Sequence, residues 1–174
     1  MNNINRNKKF YNRIADKSYN EWFDNNSLKP ILIDFMNYLP ENPNILDIGC
    51  GTGGETKRLI ELGANVTGID NSKESLKYAI KNVKEAKIIN MDILEMKFEN
   101  SIFDGVLDAG TLFHFTKIEQ IKILQRIYSI LKLEGKIISF YPEGNYEGIQ
   151  EIEIDGKKLK RYVNLKSIDK WIEL

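Results

Sequence analysis

The segment Ile45-Leu46-Asp47-Ile48-Gly49-Cys50-Gly51-Thr52-Gly53-Gly54 joins an apolar run and an acid to a cluster of glycines, the composition of a turn that leaves a strand and opens a helix. Glycines permit positive φ and remove Cβ atoms, so backbone amides around Gly49, Cys50 and Gly51 can touch a small polar ligand directly. The neighbouring charges limit which ligand that is. A phosphate-cradling loop requires Lys after Gly54, but Glu55 stands there and would repel phosphate. A dinucleotide fingerprint is formally present, since Gly49, Gly51 and Gly54 satisfy G-x-G-x-x-G and Asp70 follows Gly51 by 19 residues, where a ribose-binding acid belongs. Spacing alone does not reject it. Against it stand Asp47, whose carboxylate would approach a doubly charged pyrophosphate, and a length of 174 residues, too short for a second mononucleotide half and a substrate domain.

The run Leu-Asp-Ile-Gly-Cys-Gly-Thr-Gly from Leu46 to Gly53 resembles the class I S-adenosylmethionine-dependent methyltransferases. Their cofactor, S-adenosyl-L-methionine, carries an ammonium and a sulfonium but no phosphate, so an acid beside the glycine turn is electrostatically favourable. The resemblance continues through Val66 to Ala79, where it implies that Asp70 accepts both ribose hydroxyls with Asn71 beside it. At Asn90-Met91-Asp92-Ile93 it implies that Asp92 takes the exocyclic amine of adenine and that the amide of Ile93 reaches a ring nitrogen. At Phe103 to His114 it implies a fourth strand whose end, at Asp108 and Ala109, holds the methionine amine through backbone groups. It also implies a helical lid, bringing Tyr11 and Tyr19 over the cofactor, and spans Tyr11 to roughly Asn164. Two departures stand out. The chain ends at Leu174 within an expected helix 167–174, so the family's final strands are expected to be missing or the chain truncated. Leu107-Asp108-Ala109-Gly110 also occupies the place of the Pro-Pro-aromatic signature of amine methylation on adenine or glutamine, so those acceptors are not expected.

The elements that position these residues follow from periodicity. From Asn44 onward short apolar runs alternate with amphipathic stretches, which predicts an α/β fold, a doubly wound, mostly parallel sheet with helices on both faces. Strands are expected at 44–50, 65–70, 86–90, 103–109 and 136–141, each short and rich in β-branched residues. Helices are expected between them: Glu55 to Leu62 stopped by Gly63, one capped by Asn71 with Glu74, and one boxed by Thr116 with Glu119 and ended at Gly135. A helical preamble of two helices precedes the first strand, and a hairpin folds at Asp155-Gly156 after the last. We read one methyltransferase domain, 1–174, made of a helical lid (1–40), a cofactor-binding core (41–141) and a hairpin with a terminal helix (142–174). The lid helix and the segment Tyr141 to Asn164 are expected to be facing walls of an acceptor pocket, with His114 beside it.

Composition narrows the function classes. Acidic and basic residues balance at 25 each, which argues against a general nucleic-acid partner, and the sequence has no stretch of about 18 apolar residues to cross a membrane. One cysteine and one histidine exclude a disulfide framework and a multi-cysteine zinc site, so no metal is expected, and a reducing, cytoplasmic setting follows. Several candidates carry a bland reading beside the sharp one. His114 is the candidate base for deprotonating an acceptor, but attack on a sulfonium often needs only alignment and desolvation, which leaves a structural histidine as the alternative. Asp47 is either a ligand or a carboxylate satisfied by its own turn; Cys50 fills a small buried space; Tyr11, Tyr19 and Trp22 are core aromatics or lid. Asp104 and Glu143 are read as solvent-facing. The basic run Lys157, Lys158, Lys160, Arg161 and Lys166 is a solvated hairpin face offset by acids across the strand, or recruits an anionic acceptor. The function expected is methyl transfer to a small-molecule acceptor; the alternative is a noncatalytic S-adenosylmethionine-binding regulatory or scaffold protein.

Overall fold

A computed structural model describes residues 1–172. Two helices, α1 (Asn3–Trp22) and α2 (Lys29–Met36), lead into an alternation of β1 (Asn44–Ile48), α3 (Gly54–Glu61), β2 (Asn65–Asp70), α4 (Lys73–Asn82), β3 (Lys87–Asn90), β4 (Phe103–Ala109), α5 (Lys117–Ile130) and β5 (Leu131–Phe140). The antiparallel pair β6 (Tyr146–Ile154) and β7 (Lys157–Leu165) and the short α6 (Ile168–Ile172) follow; Glu173 and Leu174 of the expected last helix lie outside the described residues. The first five strands form one parallel sheet in the order β3-β2-β1-β4-β5. Successive strands are added on one side of β1 up to β3 and on its other side from β4, and this switch between β1 and β4 opens a crevice at their carboxyl ends.

The sheet is buried on both faces because its central strands are apolar on both. Ile45 and Leu107 pack with Leu32 and Phe35 of α2 and Leu59 of α3, while Leu46, Ile48 and Val106 pack with Ile123, Ile127 and Ile130 of α5. Removing that apolar surface from water is the main favourable term, on the order of 25 cal/mol per Å². Among the described residues no helix is long and apolar enough to cross a membrane.

Several expectations need correction. α4 is capped by Ser72 rather than Asn71: the Ser72 hydroxyl accepts from Ser75 N at 3.2 Å, and Asp70 Oδ1 accepts from Ser72 N at 2.6 Å, which fixes the turn one residue later. α5 has its Thr116–Glu119 capping box but stops at Ile130, not Gly135, because Leu131 turns extended to pair with Phe103. The residues after Leu131 bulge out before Lys136 pairs with Gly105, and Glu134, at φ 64°, carries the positive-φ turn. Asp104 is buried, accepting from Asn44 N at 2.9 Å and from Lys132 at 2.9 Å. The hairpin turn is at Asp155-Gly156, both with positive φ.

Gly49 is the tightest point. Its φ is 71°, and a Cβ there would lie 1.8 Å from Thr111 Oγ1, the hydroxyl that donates to Ile48 O and ties β1 to the loop after β4. Gly49→Ala should therefore lower stability by about 2–4 kcal/mol from strain plus overpacking, read as a lower urea midpoint. The same change in a Thr111→Ala background should cost visibly less, because the 1.8 Å clash with the hydroxyl is gone while the φ strain and the 2.8 Å approach to the Cβ of residue 111 stay. Equal losses in both backgrounds would contradict the packing described.

Candidate ligand crevice and its acid floor

The crevice is lined by residues from the carboxyl ends of four strands: Gly49 and Gly51 after β1, Ile69 to Asn71 at the end of β2, Met91 and Ile93 after β3, and Ala109 to Thr111 after β4. The N-terminal half of α1 roofs it with Ile4, Asn7 and Tyr11, and His114 and Phe115 complete the wall. The glycine turn is held by its own backbone, with Gly49 N and Cys50 N donating to Ile69 O at 2.8 and 3.0 Å. Asp70, half-buried at the crevice surface, accepts from Gly51 N at 3.0 Å as well as from Ser72 N, so its carboxylate is oriented by two amides. Burial pushes its pKa up, and those amides pull it back.

Two further carboxylates lie beneath. Asp47 is 1% exposed and points away from the crevice, toward α3, where the Thr56 hydroxyl donates to Oδ2 at 2.5 Å. Its Oδ1 is buried with no hydrogen-bond partner. Burial, and then the charges of Glu55, Asp70 and Asp108, push its pKa up to about 7 against the pull of Thr56. Asp108 is wholly buried and accepts from Thr111 N at 2.7 Å, Leu112 N at 3.2 Å and Ser139 Oγ at 2.5 Å; burial still raises it to about 6. Its side chain shapes the loop, so that Ala109, Gly110 and Thr111 are what the crevice sees.

The remaining candidates separate. Ile93 lines the crevice, while Asp92 starts a short helical turn by accepting from Leu94 N at 3.0 Å. Cys50 is buried, its Sγ against the backbone of Gly68. Tyr11 meets His114, but Tyr19 stacks on Tyr78 at 4.5 Å and lies outside the crevice lining. His114 Nδ1 contacts the carbonyl oxygen of Tyr162 at 2.8 Å, and a carbonyl only accepts, so Nδ1 carries the proton. Nε2 then accepts from the Tyr11 hydroxyl at 2.6 Å. Burial, with Arg161 adding to it, pushes the His114 pKa down to about 4.

Sequence reasoning passed over Asn7, whose amide pairs with both Tyr162 N (2.7 Å) and Tyr162 O (3.2 Å) and also donates to His114 O (3.3 Å). It passed over Asn12 too, which accepts from Ser72 Oγ at 2.9 Å and Glu74 N at 3.2 Å. Polar residues on an otherwise apolar helix face were the signal available. Through these contacts α1 lies directly on β7 and α4, so the lid and the hairpin adjoin, where facing walls were expected. Lysines 158 and 160 pair with Glu151, as a solvated hairpin face would.

A family profile described as a methyltransferase domain matches residues 45–135, more than half of the chain. The putative methyltransferase YqeM of Bacillus subtilis is 37% identical over 106 residues, covering 58% of this chain and 42% of that protein. Phosphoethanolamine N-methyltransferase 2 of Caenorhabditis elegans is 34% identical over 126 residues, covering 68% of this chain and 27% of that protein. The chain thus spans less than half the length of these curated relatives. The solved DhpI–SAH complex shares the fold, with a TM-score of 0.80 at 16% identity over 98% of this chain and 84% of that one.

The acid floor has a pH signature. Folded Asp47 keeps a proton up to about pH 7, whereas an unfolded aspartate loses it near pH 4, so its contribution to stability is complete below that range and is lost as pH rises to about 7. His114 has the opposite sign: its folded pKa is depressed, so its contribution is present above the ordinary histidine range and is lost as pH falls toward about 4. The two slopes oppose, so the measurement is a difference. Asp47→Asn should gain on the parent by up to a few kcal/mol as pH rises from 4 to 7 in a series of urea titrations, then hold level. Parallel pH curves for the two proteins would rule out a protonated Asp47.

Proposed function

We propose, from the premise that the chain belongs to the methyltransferase-domain family, that it binds S-adenosyl-L-methionine in this crevice and transfers its methyl group to a small-molecule acceptor. The observation that carries the reading is the charge of the crevice floor. Asp70 lines it, Asp47 and Asp108 lie under it, the fields of Asp70 and Asp108 both raise the pKa of Asp47, and Asp47 Oδ1 is buried without a partner. No lysine or arginine is among the lining residues. Such a floor opposes a pyrophosphate and favours a ligand with positive charge and polar hydroxyls.

In this reading Asp70 would hold the two ribose hydroxyls, one per oxygen, kept in place by Gly51 N and Ser72 N, with Asn71 beside it. Ile93 would face adenine from the side, and Asp92, which spends Oδ1 on Leu94 N, would offer Oδ2 to the exocyclic amine. The backbone of Asp108 and Ala109 would take the methionine amine, over the buried Asp108 charge. When bound, the cofactor supplies an electrophilic methyl on a sulfonium sulfur whose departure needs no acid. The protein then has to exclude water and place the acceptor. Ile4, Asn7 and Tyr11 do the first by closing the crevice from above.

His114 stays a candidate for the proton, in a modified role. Its one lone pair is taken by Tyr11 O–H, so the group facing an acceptor would be the Tyr11 oxygen, able to accept the acceptor's proton as its own moves to Nε2. Phosphoethanolamine N-methyltransferase 2 is named for a small polar acceptor, which accords with a small-molecule substrate. A cytoplasmic setting is part of the same proposal and rests on Cys50 being a free thiol.

Asp70→Ala should weaken S-adenosylmethionine and its demethylated product by about 1.5–3 kcal/mol in titration calorimetry, the range for hydrogen bonds to a charged group, with the fold retained. NAD should not bind to the parent protein. Micromolar NAD binding with none for S-adenosylmethionine would overturn the function proposed.

A further inference from the structure

Arg161 is the basic residue of the hairpin that does not behave as hairpin surface. Lys158 and Lys160 project to Glu151, while Arg161 turns inward, half-buried, with its guanidinium over the rings of Phe10 at 5.4 Å and Phe113 at 5.9 Å. Its Nε donates to the neutral Gln150 side chain at 3.0 Å, and Nη1 reaches Tyr11 Oη only at 3.5 Å. Among the described residues it makes no ion pair. Two of the hairpin acids are engaged elsewhere: Glu151 with the two lysines and Glu147 with the Tyr162 hydroxyl. A half-buried guanidinium normally has a carboxylate partner, because the cost of desolvating it must be offset. Here the group lies over two aromatic rings, and most of its N–H donors are unspent.

Its position makes this informative. Arg161 touches Tyr11, which lines the crevice and is hydrogen-bonded to His114. Tyr11 therefore lies between two opposite fields, Arg161 stabilising its ionised form and Asp70 opposing it. One end of the crevice is built for a cation, and behind Tyr11 at the other end, outside the lining residues, lies a cation without an ion pair.

We propose that Arg161 is a specificity-determining residue that recruits an acceptor carrying an oxyanion, a carboxylate or a phosphate or phosphonate group, with its methyl-accepting atom held beside Tyr11. A planar guanidinium beside two rings can give parallel hydrogen bonds to any of these oxyanions, and it discriminates against cationic and neutral acceptors by leaving its own charge unpaired when they bind. This rests on the methyltransferase reading for the identity of the ligand as an acceptor, but the anion site itself does not.

The single histidine gives a clean probe, since His114 alone contributes an imidazole signal to a proton–carbon NMR spectrum. The full chain, with and without S-adenosylhomocysteine, would be titrated with methylphosphonate, acetate, methylammonium and acetamide. Methylphosphonate or acetate should shift the His114 signal saturably, and whichever binds tighter identifies the oxyanion; methylammonium and acetamide should not. Arg161→Gln should weaken that binding about ten- to a hundredfold, the loss of one or two charge-assisted hydrogen bonds, and Arg161→Lys should restore part of it. S-adenosylhomocysteine affinity should be unchanged in both variants, which a merely structural Arg161 under the roof would not allow. Absence of a saturable shift with either anion in the parent, or equal anion affinity in Arg161→Gln, would overturn the proposal. Should S-adenosylhomocysteine fail to bind, the function proposed above falls, and the titrations without it still judge Arg161. If Arg161→Gln does not fold, the parent titration and the lysine variant decide.

Discussion

Three carboxylates, Asp47, Asp70 and Asp108, meet under one glycine turn, and much of the structure exists to hold like charges there. Each belongs to a different central strand, and each is neutralised differently. Asp70 takes two backbone amides, Asp108 takes two amides and a hydroxyl, and Asp47 takes a single hydroxyl and leaves one oxygen without a partner. Burial raises all three, and it raises Asp47, the one with the fewest donors, to about 7 against about 6 for Asp108. The glycines and Thr111 serve the same end. Gly49 can approach Thr111 only because it has no Cβ, and within the same loop Thr111 N and Leu112 N turn back to donate to Asp108.

Above this floor the roof is tied down by side chains of one helix acting as backbone. Asn7 pairs with the amide and the carbonyl of Tyr162 as a neighbouring strand would, although α1 cannot extend the hairpin. Asn12 does the corresponding work on the other flank, against the first turn of α4. At the far end of the helix, buried Arg58 of α3 donates to Phe23 O at 2.9 Å and Asn26 Oδ1 at 3.0 Å. Polar anchors of this kind hold an element in register at small net energy, on the order of 1 kcal/mol each, and in the roof they add to the burial of Phe10, Ala15 and Phe23.

What could be read from the sequence divides along the same physical line. β1, β2 and β4 were legible because strands buried on both faces leave continuous apolar runs, and the glycine turn because its chemistry is local. The direction of Asp47 was also open to reading: it shares strand parity with Ile45, which faces α2 and α3, so its carboxylate had to turn from the crevice. Tyr11 and Tyr19, eight residues apart, differ by about 80° and about 12 Å along a helix, enough for one to meet His114 and the other Tyr78. The rest depended on partners distant in sequence. Gly135 reads as a helix stop, and nothing local says that Leu131 will pair with Phe103 and displace the end of α5. Asp104 reads as a solvent-facing acid until Lys132 and Asn44 N are brought to it, and Asn7 is unremarkable until β7 lies beside it.

The polarity of the crevice then ties its two ends together. A cation arriving over the floor would lower the pKa of Asp47 and displace its proton, so binding there is coupled to protonation, and by reciprocity protonation of the floor weakens the binding. At the other end Arg161 holds the His114 pKa down and favours ionisation of Tyr11. An oxyanion seated on Arg161 would remove that field, raising His114 and making Nε2 a better acceptor of the Tyr11 proton. Each ligand would therefore change the protonation of the residues beneath it in the direction its own chemistry needs. A cation over the floor would favour the ionised form of Asp47, and an anionic acceptor on Arg161 would make the Tyr11–His114 pair more basic. Tyr11, under the influence of both Asp70 and Arg161, is the residue at which the two events are felt together.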